Sequence, residues 1–467
     1  EDEDSKLIVV PLSEIRKKLN ERNIHNAVFL GAAAKCLGIE LKLLNECINV
    51  YFSKKPELAE KITEAAKEGY DAVEEVQKVA PVGNEIKLDF LTGNQALALG
   101  ALKAGLTFHA QYPMTPATGI LHHLAKEALT NEKLTVVQVE DEISVINFAL
   151  GASAVGARAM CATSGGGFAL MVESLGLAGM AEVPLVIVNG QRAGPSTGLP
   201  TKNAQGDLQF VLTAAPGDFP RVVIAPGDAK ECYTEAKRSF YLAEKYQLPV
   251  IILIDKHICE SFEHFDLKEV EKEFTFDYGK RINIITQVPS KELNQDGLYK
   301  RYAKGNLQRT LPGTEGGVFT YAGDEHDDVG YITEDPIIAA RMNERRMEKL
   351  DAIVKELPAI QIIGPKDAEL TIISWGSNNN AIIEAMGKVK GEKVNFFPIK
   401  YMCPFQPGVW EVLNKAKKLL LVESNYSGQL GRLIREETGI EIKEKLLRYD
   451  GTIITVEEIC KRIEELI

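Results

Sequence analysis

Gln138-Val-Glu-Asp-Glu142, followed by Asn147-Phe-Ala-Leu-Gly151, is the stretch that best predicts the fold of this chain. It ends a strand-like apolar run, Leu134 to Val139, and enters an Ala/Gly-rich helical segment that reaches Arg158. Acidic side chains are favourable in the first turn of a helix, where backbone N–H groups lack intrahelical partners. The stretch therefore predicts a strand, an acidic turn and a helix, with the Glu142 carboxylate at the buried start of that helix.

Short apolar runs and helical patterns continue to alternate on both sides of this stretch. From Asn84 to about Tyr278 the apolar runs are β-branched and nearly continuous, at Val136–Val139, Val183–Val188, Val222–Ala225 and Val250–Ile254. Such runs are typical of strands buried on both faces, as in a parallel sheet flanked by helices. Alternation resumes near the C-terminus and predicts a second α/β domain with strands at Leu370–Trp375, Val394–Ile399, Leu419–Val422 and Gly451–Thr455.

Residues 1–82 and 282–358 show other sequence patterns. After a strand-like run, Leu7–Leu12, the first part of the chain carries amphipathic helical stripes at Ile24–Leu37, Leu41–Phe52 and Glu57–Val76. These residues are expected to be the end of a domain, closed by the break Ala80-Pro-Val-Gly83. Polar, Gly-containing sequence then predicts an irregular connecting segment that ends in a charged helix, Met342 to Leu357. We predict four parts: residues 1–82, 83–281, 282–358 and 359–467.

Composition and charge exclude several classes of function. With 45% hydrophobic and 26% charged residues, the chain contains no run of the ~20 apolar residues that a membrane-spanning helix needs. A net charge of −12 is unfavourable for nucleic-acid binding, which relies on clustered Lys and Arg. The acidic N-terminus lacks the features of a signal peptide, and the seven cysteines include no Cys-x-x-Cys pair. We expect a cytoplasmic protein that binds neither membrane nor nucleic acid.

Glu142 is the residue best suited to catalysis. Burial at a helix start raises the pKa of a carboxyl, because it disfavours the charged form. Such a group could hydrogen-bond a ring nitrogen of a flat heterocycle, and with an aminopyrimidine it would favour the tautomer that deprotonates a neighbouring thiazolium carbon. The alternative is that Glu140, Asp141 and Glu142 only complement the helix dipole.

Two further motifs carry candidate substrate-binding residues. In Tyr112-Pro-Met-Thr-Pro116 two prolines stiffen a loop after a strand and could present the Thr115 hydroxyl, although a simple turn explains them equally well. Val188-Asn-Gly-Gln-Arg192 places an Arg after a buried strand, before a Gly/Pro-rich loop. The planar guanidinium of Arg192 would suit a carboxylate, unless it only pairs with a neighbouring acid. The far end of this loop could bring Thr201 and Lys202 beside Arg192.

Other polar motifs are less specific. Thr163-Ser-Gly-Gly-Gly167, ahead of a predicted helix from Phe168 to Ala178, resembles an anion-binding helix start, but close packing of a helix on a sheet explains its glycines equally well. The seven histidines show no metal-ligand spacing. We predict no metal site in this chain.

Together these motifs resemble the α subunit of 2-oxoacid:ferredoxin oxidoreductases, in the form that carries a γ-type domain fused at its N-terminus. The resemblance extends to Glu325-His-Asp-Asp-Val-Gly330 and Val422-Glu-Ser-Asn-Tyr-Ser-Gly-Gln-Leu430. The fold that it implies is α/β. A thiamine-diphosphate-binding (PYR-type) parallel-sheet domain is followed, after the irregular segment, by a transketolase C-terminal-like domain. Residues 1–82 would be part of the γ-type domain, because its Gly-rich first segment is not present.

The resemblance implies CoA-dependent oxidative decarboxylation of a 2-oxoacid to an acyl-CoA, with electron transfer to ferredoxin. Glu142 would contact the thiamine pyrimidine, near Tyr112 and Pro113, while Thr115, Arg192 and Thr201 would bind the substrate. A partner β subunit would hold the diphosphate through Mg²⁺ and carry an iron–sulfur cluster, and the complex would be a dimer of heterodimers. This division fits a sequence that has neither Gly-Asp-Gly nor a cysteine cluster. The linker containing His326 resembles that of enzymes for 2-oxoglutarate or for a broad range including pyruvate.

Two alternatives remain open at this stage. The chain could be the pyrimidine-half subunit of another thiamine-dependent dehydrogenase or synthase, although such enzymes are not expected to combine Tyr112–Pro116 with the Arg192 loop. It could also be a non-catalytic assembly subunit. The presence of both Glu142 and Arg192 counts against that reading, since a decayed site has no physical reason to keep a buried acid and a buried cation.

Overall fold

The computed structural model describes residues 7–21, 23–77, 79, 88–273, 283–389 and 393–467. The chain divides into two compact units, Glu1–Lys87 and Leu88–Ile467. The boundaries predicted at 82/83 and 281/282 lie outside the described residues, and the boundary predicted at 358/359 falls inside the second unit. The four-part division therefore stays a prediction.

The first unit is helical in its described part, with α1 (Leu12–Leu19), α2 (His25–Cys36), α3 (Leu41–Tyr51) and α4 (Pro56–Asp71). Glycines let α2 and α4 cross at close range: a Cβ on Gly31 would lie 1.8 Å from the carbonyl oxygen of Ala66, and one on Gly69 would lie 1.9 Å from that of Val28. The strand predicted at Leu7–Leu12 is wrong. Residues 7–11 have no regular structure, and the helix begins directly after Pro11.

The described residues of the second unit form three sheets. Its strands are β1 (Asp89–Thr92), β2 (Phe108–Gln111), β3 (Thr135–Gln138), β4 (Ala159–Thr163), β5 (Leu185–Gln191), β6 (Val222–Ile224), β7 (Pro249–Asp255), β8 (Phe262–Phe265), β9 (Leu370–Ser374), β10 (Val394–Pro398), β11 (Tyr401–Cys403), β12 (Leu419–Glu423) and β13 (Glu444–Leu447). A seven-stranded sheet has the order β11-β6-β7-β5-β4-β2-β3, a four-stranded sheet has the order β10-β9-β12-β13, and β1 pairs with β8.

Helices connect and cover these sheets. They are α5 (Gly93–Lys103), α6 (Thr118–Ala128), α7 (Glu142–Ala154), α8 (Gly165–Phe168), α9 (Val172–Met180), α10 (Leu208–Thr213), α11 (Ala229–Tyr246), α12 (Lys256–Glu260), α13 (Leu267–Glu273), α14 (Pro336–Val354), α15 (Asn378–Lys388), α16 (Val409–Lys415), α17 (Gln429–Thr438) and α18 (Val456–Leu466), with a 3₁₀ turn at Ser290–Glu292. No described helix combines the length and apolarity needed to cross a membrane.

The prediction of parallel sheets is confirmed. In the seven-stranded sheet every neighbouring pair is parallel except β11 with β6, and the four-stranded sheet is parallel throughout. All seven residues of β5 and all seven of β7 are buried, which agrees with apolar runs covered on both faces. The two strands lie side by side at the centre of the sheet.

Two details of the predicted elements are wrong. Gly451–Thr455 is not a strand: Gly451 has φ +85° in a turn, and the fourth strand is β13, whose polar sequence suits a sheet edge. The predicted helix Phe168–Ala178 is two helices, α8 and α9, with a break at residues 169–171. Short elements with mixed polarity carry no clear period, so the sequence pattern missed both.

The C-terminal part of the chain completes the large sheet. Strand β11 pairs antiparallel with β6 and forms the edge of the seven-stranded sheet. The hydroxyl of Tyr401 in this strand donates to the Glu235 carboxylate of α11, 3.1 Å away. Because residues 359–467 contribute β11 to the seven-stranded sheet, they do not separate as a compact unit of their own.

Candidate functional site

Glu142 lies where the sequence predicts it, at the first turn of α7. Asp141 caps this helix: its carboxylate accepts a hydrogen bond from the Ser144 N–H at 3.1 Å, and its φ of 48° is unusual for a residue other than glycine. The sharp turn at Asp141 sends the Glu142 side chain inward, so that the residue is only 3% exposed. Strained backbone of this kind is found preferentially at functional sites.

The Glu142 carboxyl rests against β4 and the start of α8. The Thr163 hydroxyl donates to Glu142 Oε1 at 3.4 Å, and a Cβ on Gly167 would lie 2.3 Å from the same oxygen. Burial raises the pKa of the Glu142 carboxyl, although the Thr163 hydrogen bond acts in the opposite direction. Gly167 in the Thr163–Gly167 motif is therefore required by the approach of Glu142.

Arg192 and Thr115 meet at the same end of the sheet. Arg192 Nη1 donates to the carbonyl oxygen of Thr115 at 2.9 Å. The loop around Thr115 is held further along by Asn94, whose amide donates to the Pro116 carbonyl at 2.8 Å, and by Gln111, which donates to the Ala117 carbonyl at 3.0 Å. Arg192 therefore lies against this loop in the structure. The contact is made through the Thr115 backbone, which leaves the Thr115 hydroxyl available for a ligand.

A cavity of about 490 Å³ opens beside Arg192. Its lining combines the Arg192 loop, the glycines that begin α8 and two polar side chains, and consists of Met114, Ser164, Gly165, Gly166, Ala169, Arg192, Gly194, Pro195, Ser196, Thr197 and Asp207. Three apolar residues, an arginine and several small polar groups suit a small organic anion, with the Asp207 carboxylate as the one acidic group in this lining. Glu142 does not line this cavity itself, but Thr163, which contacts the Glu142 carboxyl, is directly followed by Ser164.

The other residues predicted for the site do not line this cavity. Tyr112 is partly buried and packs against the main hydrophobic core, and Pro113 is half-buried. Thr201 is exposed and is not part of the cavity lining. The loop does fold back next to Arg192, because the Ala193 N–H donates to the Lys202 carbonyl at 3.2 Å. Lys202 is also exposed.

Asp207 is a polar residue of the cavity that the sequence analysis missed. Its carboxylate accepts from the Asn189 amide at 3.2 Å, its backbone N–H donates to Gln191 Oε1 at 3.1 Å, and a Cβ on Gly165 would lie 2.5 Å from its Oδ2. Burial raises the pKa of Asp207 to about 6, although the Asn189 hydrogen bond and the charge of Arg192 lower it. Nothing in the sequence around Asp207 points to the cavity, because only the folded loop brings it there.

The loop after Arg192 is anchored to the C-terminal part of the chain by Gln205, which is fully buried. Gln205 Nε2 donates to the Trp375 carbonyl at 2.8 Å and to the Asp255 carboxylate at 3.1 Å, while its Oε1 accepts from Asn378 at 2.9 Å. Asn425, from the Val422–Leu430 motif, donates to the Gln205 carbonyl at 3.0 Å. The motif thus has a structural role within the chain.

Metal ligands are not gathered anywhere in the described parts of the chain. Within those ranges, no group of three or more His, Cys, Asp or Glu side chains is arranged to hold an ion. All seven cysteines are free, and Cys161, Cys232 and Cys259 are buried.

Comparison with known proteins shows which family this chain belongs to. A model described as pyruvate flavodoxin/ferredoxin oxidoreductase, thiamine diphosphate-binding, matches residues 99–301, and one described as pyruvate ferredoxin/flavodoxin oxidoreductase matches residues 1–72. The α subunit of 2-oxoacid:ferredoxin oxidoreductase 1 from Sulfurisphaera tokodaii is 35% identical over 99% of this chain and 76% of its own length. The chain belongs to the α subunits of the 2-oxoacid:ferredoxin oxidoreductase family.

Further relatives of this α subunit differ in the substrate that they are named for. The 2-oxoglutarate oxidoreductase subunit KorA of Mycobacterium tuberculosis is 31% identical over 96% of this chain and 69% of its own length. A solved structure of 2-oxoglutarate:ferredoxin oxidoreductase from Magnetococcus marinus, with 2-oxoglutarate, coenzyme A and succinyl-CoA bound, superposes with a TM-score of 0.87 at 31% identity. The match covers 100% of this α subunit and 83% of that chain.

Proposed function

We propose that this α subunit, together with a β subunit, catalyses the CoA-dependent oxidative decarboxylation of a 2-oxoacid to an acyl-CoA and passes the electrons to ferredoxin. One observation carries the proposal: burial raises the pKa of the Glu142 carboxyl, this carboxyl contacts Thr163, and the next residue, Ser164, lines a cavity that contains an arginine. The family assignment supports it, and it favours this reaction over the chemistry of other thiamine-dependent dehydrogenases or synthases.

The surroundings of Glu142 fit the pyrimidine half of thiamine diphosphate. Glu142 is 3% exposed, and burial favours the form that can donate a hydrogen bond to a ring nitrogen. When bound, the cofactor supplies the carbon nucleophile that attacks the 2-oxo group. The role of Glu142 would be to hold and return one proton at its carboxyl oxygen. Tyr112 and Pro113 would border the same ring.

The substrate side of the proposal rests on Arg192. Its guanidinium lines the cavity and keeps a fixed position through the Thr115 carbonyl, so its remaining N–H groups can bind the carboxylate shared by all 2-oxoacids. The Thr115 hydroxyl would contact a second substrate oxygen. Thr201 stays a weaker candidate because it is exposed. The relatives are named for 2-oxoacids in general or for 2-oxoglutarate, and we propose 2-oxoglutarate or a broad range that includes pyruvate.

A partner is part of the proposal. The name α subunit in the relatives implies a second subunit, and we propose that this β subunit binds the diphosphate through Mg²⁺, carries an iron–sulfur cluster and reduces ferredoxin. The absence of a metal-binding group from the described residues of this chain leaves those functions to the partner. A dimer of heterodimers and a cytoplasmic location complete the proposal, the latter supported by seven cysteines without a disulfide.

The test is an assay of the complex isolated with its natural partner, following CoA-dependent reduction of ferredoxin or methyl viologen with pyruvate, 2-oxoglutarate and branched 2-oxoacids. Glu142→Gln is expected to lower turnover by at least ~10²-fold, as for other positioned acid–base groups. Glu140→Gln is the matched control, because Glu140 is an exposed acid beside the same helix start. Near wild-type turnover in Glu142→Gln would remove the proposed role of this carboxyl.

A further inference from the structure

Ser164 occupies a position that the proposed function does not yet use. It directly follows β4, is fully buried, and lines the cavity beside Arg192. Its Oγ has no hydrogen-bond partner among the described residues. A buried hydroxyl without a partner lowers the stability of a fold, so the missing hydrogen bond of the Ser164 hydroxyl needs a physical explanation.

The neighbouring strand ends show the same pattern. Asn189 and Gln191 of β5 are fully buried, and Asn189 Oδ1 and Gln191 Nε2 also lack partners in the part of the chain that the structure describes. Their other amide atoms are engaged by Asp207, which lines the cavity. Strands β4 and β5 are adjacent and parallel, with Thr163 paired to Asn189, so these unpaired atoms gather at one end of the sheet. Polar groups gathered in this way and left unpaired are expected to bind a ligand or ordered water.

We propose that the Ser164 hydroxyl donates a hydrogen bond to an oxygen of the bound 2-oxoacid, as a further substrate-binding residue beside Arg192. This inference rests on the proposed function. A 2-oxoacid offers three acceptor oxygens, in its carboxylate and its 2-oxo group, and the cavity presents both a guanidinium and this hydroxyl to them. The cofactor pyrimidine is a less suitable partner for Ser164, because Glu142, which would contact it, does not line the cavity.

The experiment compares two buried serines in the αβ complex. Ser164→Ala removes a hydroxyl without a partner in the fold, whereas Ser153→Ala removes one that donates to the Pro184 carbonyl and is equally buried. We expect Ser164→Ala to raise the KM for pyruvate and 2-oxoglutarate by about tenfold or more, the usual effect of losing a hydrogen bond to a charged group. Its Tm should be no lower than that of the wild type, and its Kd for thiamine diphosphate, measured calorimetrically, should stay within about twofold. Ser153→Ala should lower the Tm and leave the KM unchanged.

Three results would overturn the inference: an unchanged KM in Ser164→Ala, a loss of cofactor affinity without a change in KM, or a fall in Tm like that of Ser153→Ala. Arg192→Ala is measured alongside, because its KM should rise whether or not Ser164 binds the substrate. If Arg192→Ala raises the KM and Ser164→Ala does not, the role of Ser164 fails and the proposed function stands. If the wild-type complex turns over none of the 2-oxoacids, the proposed function itself fails.

Discussion

The buried surroundings of Asp207 disfavour the negative charge of its carboxylate. Burial raises its pKa to about 6, whereas an unfolded Asp titrates near 3.9. Between these values the folded chain binds more protons at this site than the unfolded chain, so the free energy of unfolding falls as the pH rises from about 4 to about 6. Asp207→Asn removes the charge and keeps an oxygen that can accept from Asn189. We expect this variant to have a higher Tm than the wild type at pH 7, and the difference should vanish near pH 4.

The control for this prediction is Asp351→Asn, which removes one negative charge from an exposed position. Melting curves of the three proteins between pH 4 and pH 8 separate the effect of burial from that of net charge. A Tm gain that is equal in both variants, or one that persists at pH 4, would contradict the explanation by burial.

At the scale of single residues, the sequence predicted those side chains that stand in a recognisable local context. Glu142 follows an apolar strand and begins a helix, and Arg192 directly follows a fully buried strand, so their positions at one end of the sheet follow from strand order. Ser164 and Asp207 are different, because their significance depends on which atoms remain unpaired or buried after folding. Thr201 shows a further limit: the loop returns to Arg192, where the Ala193 N–H donates to the Lys202 carbonyl, but the sequence pattern does not show that the Thr201 side chain is exposed.

At the scale of elements, the junction between β4 and α8 is built around a glycine. A Cβ on Gly167 would lie 2.1 Å from Thr163 Oγ1 and 2.3 Å from Glu142 Oε1. Gly167→Ala must therefore displace the Glu142 carboxyl or the start of α8. We expect the turnover of the complex to fall by at least ~10²-fold, as for loss of the acid itself, together with a lower Tm. Both are measured on the αβ complex with the assay used for Glu142→Gln.

Gly151→Ala is the matched control for helix glycines. Gly151 lies in α7, and a Cβ there would meet no atom of this chain within 4 Å among the described residues. Alanine favours a helix over glycine by about 1 kcal/mol, so the αβ complex carrying Gly151→Ala should melt at the same or a higher temperature than wild type. A Gly167→Ala subunit that melts like Gly151→Ala would show that the space beside Glu142 is not required.

The strands and helices also show where a prediction from runs of apolar residues fails. Strands β5 and β7 could be predicted because they are buried throughout and each contains a continuous apolar run, Leu185–Val188 and Val250–Ile254. Strand β13 lies at a sheet edge and begins with two charged residues, and β11 is only three residues long and pairs antiparallel with a strand from a distant part of the chain, so neither shows a long apolar run. The split between α8 and α9 was missed for a similar reason, since a helix of four residues is too short to show a period.

At the scale of the second unit, polar contacts between distant segments decide the packing, and no local pattern predicts them. Gln205 joins the loop after Arg192 to Trp375, Asn378 and Asn425. Such contacts join residues that lie about 170 or more positions apart. The C-terminal part thereby supports the cavity without supplying any of its lining residues.

Buried charged side chains of α14 stabilise the packing of this helix and of the irregular segment before it. Arg345 and Lys349 of α14 both donate to the Glu182 carboxylate, and their side chains are only 5% and 4% exposed. Burial alone would raise the pKa of Glu182, but Lys349, Arg345 and Arg301 lower it below its usual range. Removal of this carboxylate leaves buried cations without a counter-charge, which typically costs about 3–5 kcal/mol.

Glu182→Gln is therefore expected to lower the Tm of the α subunit by several degrees and to open residues 283–335 to trypsin. Arg341→Ala provides the comparison, because it breaks the Arg341–Asp328 pair, whose side chains are 46% and 35% exposed. Loss of an exposed pair changes the free energy of unfolding by roughly 0.5 kcal/mol or less, so this variant should melt and resist digestion like the wild type. If the two variants lose equal stability, or if digestion of 283–335 is unchanged in Glu182→Gln, the segment is held by its apolar contacts instead. Buried Tyr299 and Tyr302 would then be the residues to replace next.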